Sequence, residues 1–201
     1  MPQLPVRPGA LREAASELGR LTGLGVEVIG GTLVLAPPRR GKHVGTVQRL
    51  REQLDAGLPE RLTTCQVVSV GMPGDGDDYA TPDLTVLPRS WEEGDDWLVD
   101  PRDVALAVEV VPRSEGAWEV TVKSDWYAAA EVPALLALDP RWGRWVLHTG
   151  PRKGGYGEVL RGVYGEPVPL AVPLPRELRT DRLPRWAAGE RALTPRRRRP
   201  S

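Results

Sequence analysis

Val104-Ala105-Leu106-Ala107-Val108-Glu109-Val110-Val111 is the stretch whose reading decides the fold. Every residue in it is apolar except Glu109. A short, nearly unbroken apolar run is the pattern of a strand buried on both faces, as in a sheet covered by helices. An ionised carboxylate in such a strand is costly unless it is paired, protonated or bound to a cation. The residues alone leave two readings of Glu109 open. Either it lies at the strand's exposed end or pairs with an arginine such as Arg113, or it is a metal ligand.

Working outward, Asp83 follows Pro82 and opens a second strand, Asp83 to Leu87; if the two strands are neighbours, both carboxylates can converge on one cation. Downstream, Trp118 to Glu131 has helical character and carries Lys123, with Tyr127 one turn later on the same face. Further strands are expected at Ala134–Leu138, Arg144–His148 and Tyr156–Val163. Toward the N-terminus, Leu11, Ala14, Ala15, Leu18 and Leu21 fall at helical spacing after Pro8. Val26–Ile29 and Thr32–Leu35 flank Gly30-Gly31 as a hairpin, stopped by Pro37-Pro38. His43 to Leu58 is a second helix, Gln66 to Val70 a strand, and Gly71 to Tyr79 a Gly- and Asp-rich loop. Alternating strands and helices predict an α/β fold, a mixed β-sheet core flanked by helices. Residues 1–190 are expected to form one domain, and residues 191–201 an Arg-rich, disordered tail.

Composition narrows the chemistry. Cys65 stands alone and His43 and His148 are the two histidines, which excludes a disulfide framework and a zinc site built on Cys and His. A metal here must be held by oxygen, which suits magnesium. No run approaches the roughly 18 apolar residues of a membrane span, and the start lacks a signal segment, so a cytoplasmic protein is expected. Residues 71–150 carry 16 acidic and 6 basic groups, whereas residues 1–70 carry 6 and 9 and residues 151–201 carry 5 and 12. Solvated faces explain such unevenness; so does an acidic, metal-attracting centre between basic flanks. Lysine occurs only at 42, 123 and 153, so a lysine kept at 123 suggests a need for a compact, titratable ammonium, although an ordinary surface lysine is as common.

Pro82-Asp83, Val108-Glu109-Val110, Glu119, Lys123, Tyr127, Glu131-Val132-Pro133 and Leu138-Asp139-Pro140 together resemble the Uma family of putative restriction endonucleases, a branch of the PD-(D/E)XK nuclease superfamily. Val26-Glu27-Val28-Ile29-Gly30-Gly31 resembles that family's first hairpin, and Pro37-Pro38 through His43 its proline turn and the start of its helix. The chain departs from the pattern in three places. Val111 stands where the superfamily's short motif has lysine, Pro112-Arg113-Ser114 replaces Ser-Pro-Ser, and Glu131 replaces a glycine.

The resemblance implies a restriction-endonuclease-like fold and a magnesium-dependent endonuclease, with manganese able to substitute. It implies that Asp83, Glu109 and the Val110 carbonyl hold the metal, that Lys123 orients or deprotonates water, and that Glu27 adds a further carboxylate. His43 is a weaker neighbour. Arg39, Arg40, Lys42, Arg152, Lys153 and the C-terminal arginines are candidate phosphate contacts. The implied partner is nucleic acid, DNA before RNA, and a homodimer is expected by analogy with other nucleases of the superfamily. Two rivals are a nuclease fold that binds without cutting and an interaction scaffold using Trp91, Trp97 and Trp118.

Overall fold

The computed structural model describes residues 7–36, 38–112 and 117–186, the side chains of 117–120 excepted. Pro37, Arg113, Ser114, the side chains of Trp118 and Glu119, and the tail at 191–201 lie outside the described residues.

The elements run α1 (Ala10–Thr22), β1 (Val26–Ile29), β2 (Thr32–Leu35), α2 (Gly41–Gly57), β3 (Leu62–Cys65), β4 (Ser69–Gly71), β5 (Tyr79–Ala80), β6 (Leu84–Pro88), β7 (Leu98–Val99), β8 (Leu106–Val110), α3 (Ala117–Ala129), β9 (Ala134–Asp139), β10 (Arg144–Arg152), β11 (Gly155–Val163), β12 (Val168–Pro169) and β13 (Glu177–Leu178). A six-stranded sheet has the order β11-β10-β9-β8-β6-β3, and a five-stranded sheet the order β2-β1-β5-β4-β7. The small β12-β13 pair stands apart. The larger sheet is mixed: β8 runs parallel to β9 and antiparallel to β6. This is the mixed α/β architecture expected, divided among three sheets.

The period of two along β8 sorts its side chains. Leu106, Val108 and Val110 pack into a core with Leu50 and Leu54 of α2. Ala107 faces the other way, into a core with Trp126 and Tyr127 of α3. Glu109 therefore lies on the α3 face. Along β6, Leu84 and Val86 join the α2 core and Leu87 the α3 core, which puts Asp83 on the same face as Glu109. The sheet is thus covered on both sides, as its apolar central strands require.

The β1–β2 hairpin closes through Gly30 and Gly31, at φ 57° and 72°, with Ile29 opposite Thr32. Two successive left-handed residues are what a tight two-residue hairpin demands, and glycine adopts them without a Cβ penalty. The turn is pinned from below: buried Asp78 accepts from Gly30 N at 2.6 Å and Gly31 N at 2.8 Å, and from Trp126 Nε1 of α3 at 3.3 Å.

Two expectations need correction. The strand expected at Gln66–Val70 is cut back to β4, Ser69–Gly71, because residues 66–68 form the crossing from β3 in the larger sheet to β4 in the smaller one. The break is at Val67, an 82% exposed residue at φ 63°, where the chain leaves one sheet for the other. The strand expected from Asp83 begins at Leu84, because the Asp83 side chain turns to bond Val110 N.

Candidate active site

The two large sheets meet at residues 79–84. β5 pairs with β1 in the smaller sheet, and three residues after it the chain joins the larger sheet as β6. That short crossing carries Thr81 and Asp83. Thr81 N donates to Glu27 Oε1 at 2.8 Å, and Asp83 N donates to the Val108 carbonyl at 3.0 Å. Glu27 from one sheet is thereby brought beside Asp83 and Glu109 from the other.

Asp83 is almost wholly enclosed by donors. Its Oδ1 accepts from Arg39 Nε at 2.8 Å and contacts His43 Nε2 at 2.9 Å, and its Oδ2 accepts from Val110 N at 2.8 Å. Arg39 Nη2 lies 2.8 Å from Oδ1 as well. Burial opposes ionisation, but the His43 hydrogen bond and charge, Arg39 and the Val110 N–H outweigh it and hold the Asp83 carboxyl below its usual range.

Glu109 is placed differently. Lys123 Nζ donates to its Oε1 at 3.0 Å and Tyr127 OH to the same oxygen at 2.7 Å. Among the described residues no hydrogen bond falls on Oε2. Burial pushes the Glu109 carboxyl up to about 7 against the pull of Lys123, and the nearby Glu27 and Asp83 charges push the same way. Lys123 bridges the pair, with Nζ also 2.9 Å from Glu27 Oε2. Burial works against its ammonium, but Glu109 and Glu27 prevail and raise its pKa above the usual lysine value. Lys123 and Tyr127 reach Glu109 together because they stand four apart on α3.

Glu27, Asp83, Glu109, Val110 and Lys123 all line one cleft of about 540 Å³. Arg39, Arg40 and His43 line it too, along with Tyr79, Trp97, Thr81, Val67 and Trp186. Lys42, Arg152 and Lys153 are not among its lining residues. The engagement of Asp83 by Arg39 and His43 has a single local signal in the sequence, the Pro-rich turn that starts α2. Thr81, Tyr79 and Trp97 carry no such signal; they reach the cleft through sheet pairing. Among the described residues no three His, Cys, Asp or Glu side chains converge as a metal-ligand group. No described helix is long and apolar enough to cross a membrane.

Residues 15–183 match the Uma2 family, described as putative restriction endonucleases, and over that span the chain belongs to it. In structure the chain is similar to a putative nuclease of the DUF820 group from Anabaena variabilis, with a TM-score of 0.60 at 17% identity over 75% of this chain and 83% of that one. At that identity the likeness shows a shared fold. No curated protein matches.

Proposed function

We propose, from that family membership and from the convergence of Glu27, Asp83, Glu109 and Lys123 on one cleft, that this protein is a metal-dependent endonuclease hydrolysing phosphodiester bonds, with DNA as its expected substrate. The observation that carries the reading is the Glu109–Lys123–Glu27 cluster: two carboxylates and one ammonium in a half-closed pocket. A purely structural ion pair needs one carboxylate, not two. A second one leaves net negative charge where solvent is scarce, a place suited to a cation.

The donor set fits a hard cation such as magnesium. Its candidate ligands are all oxygen: Glu27, Asp83, Glu109 and Val110, whose carboxylates and carbonyl would serve, all line the cleft. Asp83 Oδ1 is held by both Arg39 and His43, so both contacts would have to give way before that oxygen could meet a ligand. Water and substrate oxygens would complete the shell, as is usual for magnesium. When bound, such a cation would polarise the phosphate and lower the pKa of an attacking water.

The chain's own groups do the rest. Tyr127, its phenol kept protonated by burial, fixes Glu109 Oε1 by donating to it. Lys123, held between Glu27 and Glu109, is placed to orient water or to offset charge on the phosphorane-like transition state. Arg39 and Arg40 at the cleft supply phosphate contacts without base specificity.

The test is titration of the purified protein with Mn²⁺, followed by electron paramagnetic resonance, beside cleavage assays on DNA and RNA with magnesium or with chelator. Binding lost in Glu109→Gln together with magnesium-dependent cleavage supports the reading. Cleavage that persists in chelator rejects the metal, and nucleic-acid binding without any cleavage makes the protein a non-cutting binder.

A further inference from the structure

The form of nucleic acid that fits this cleft can be read from its depth, its size and one aromatic side chain, on the premise that the nuclease reading above holds. The chemistry sits on a recessed floor. Glu27 and Asp83 are buried, and the Glu109 and Lys123 side chains are 16% and 19% exposed. The space above them is about 540 Å³, in the range of a pocket for one small organic molecule. A paired duplex carries its phosphates on the outside of a wide, stiff cylinder, so bringing one to the floor of a recess this size takes costly bending or local opening of the duplex. An unpaired strand has no such difficulty.

The lining offers what an unpaired strand presents. Trp97 is 50% exposed, and Val67 and Leu35 are exposed beside the same cleft, whereas Arg39 and Arg40 give it positive charge. Trp97 is held in place rather than loose: the Arg12 guanidinium lies 5.3 Å from its ring centroid, and the Tyr79 ring meets it edge-on at 5.2 Å and 87°. Arg12 also sits 5.8 Å from the Tyr79 ring. Its Nε is buried without a hydrogen-bond partner among the described residues, so contact with the two rings accounts for its placing. A tryptophan fixed on one side and open on the other, next to cations, is the arrangement on which unpaired bases stack.

We propose that the cleft takes an unpaired stretch of nucleic acid, one base stacked on Trp97 and the adjoining phosphates on Arg39 and Arg40, so that single-stranded or locally opened strands are its substrates rather than paired duplex. Stacking supplies affinity without sequence preference, because every base has a π-face.

Binding is measured by fluorescence anisotropy in chelator, which keeps cleavage out of the readout, using labelled single strands of roughly 12 nucleotides and the matching duplex. The single strand should bind at least about tenfold more tightly than the duplex. Trp97→Ala should weaken single-strand binding roughly tenfold and leave duplex binding unchanged, while Trp97→Phe keeps most of the affinity. In the unaltered protein, photo-cross-linking of a bromouracil-containing strand should map to Trp97. Equal affinity for both forms, an unaffected Trp97→Ala, or cross-links that map away from the cleft overturn this inference. Duplex binding as tight as single-strand binding, with duplex cleavage present, overturns it while leaving the nuclease reading intact; no binding and no cleavage of either form overturns both.

Discussion

The Asp83 side of the cleft and the Glu109 side begin from the same circumstance, a carboxylate on the α3 face of the large sheet, and end in opposite electrostatic states. Asp83 meets fixed donors on both oxygens, from Arg39, His43 and the Val110 amide, and is held ionised. Glu109 meets one ammonium that it must share with Glu27, and burial pushes it up to about 7. What separates them is the ratio of donors to carboxylates, not depth. Environments that push two carboxyl groups apart are the usual means by which one site assigns them different roles.

The sharpest break in the comparison comes from removing the shared ammonium. Lys123→Ala should lower cleavage by at least about a hundredfold while leaving the fold intact by circular dichroism. Lys123→Arg should fail to restore it, because a planar guanidinium does not reproduce the compact ammonium held between Glu27 and Glu109. Full activity in the arginine variant would mean that positive charge alone is needed, and full activity in the alanine variant would remove the residue from the mechanism.

The two sides also predict opposite slopes of stability with pH in chelator. The Glu109 carboxyl is raised from an ordinary 4.5 to about 7, so the folded state binds more protons than the unfolded one in that window. Its contribution is fully present below 4.5 and is lost as pH rises through 7, by an amount on the order of 3 kcal/mol. The Asp83 carboxyl is lowered from 3.8, so its contribution is present above that value and is lost as pH falls below it. Urea melts of wild type and Glu109→Gln from pH 5 to 8 should converge at the acid end and differ in slope; parallel curves would show that Glu109 ionises as an ordinary carboxyl.

The smallest effect belongs to Arg39, whose side chain is 42% exposed. Arg39→Ala should weaken nucleic-acid binding about equally across sequences and reduce the dependence of log Kd on log salt by about one. An unchanged salt slope would leave Arg39 as a partner of Asp83 alone.

How far these features were legible follows from the distances over which they are determined. Glu109 could be read because a lone charge in an eight-residue run that is otherwise apolar contradicts its surroundings whatever the tertiary structure. The Lys123–Tyr127 pair could be read because helical spacing is local. The Arg39–Asp83 and His43–Asp83 contacts span 44 and 40 residues, and nothing local in the sequence fixes the geometry between them. The division into two large sheets was hidden for a related reason: Gln66–Val70 reads as one strand, and the left-handed backbone at Val67 makes its first part the crossing between the sheets. β12 and β13 were missed in a proline-rich segment whose pairing contributes few backbone bonds.

The Asp78 clamp under the hairpin has a consequence for hydrogen exchange. Gly30 and Gly31 are exposed at the tip of a tight turn, where amides ordinarily exchange with solvent deuterium quickly. Here both N–H groups are captured by a carboxylate that also holds the Trp126 indole on α3, the helix that bears Lys123. The turn cannot release its amides without loosening its hold on that helix. The two glycines should therefore show slowed exchange unusual for a surface turn, and Asp78→Ala should speed it at both amides and, through the lost indole contact, along the buried face of α3. If exchange quickens at the glycines alone, the hairpin and the helix open independently, and Glu27 and Lys123 are brought together by their own charges rather than by a common frame.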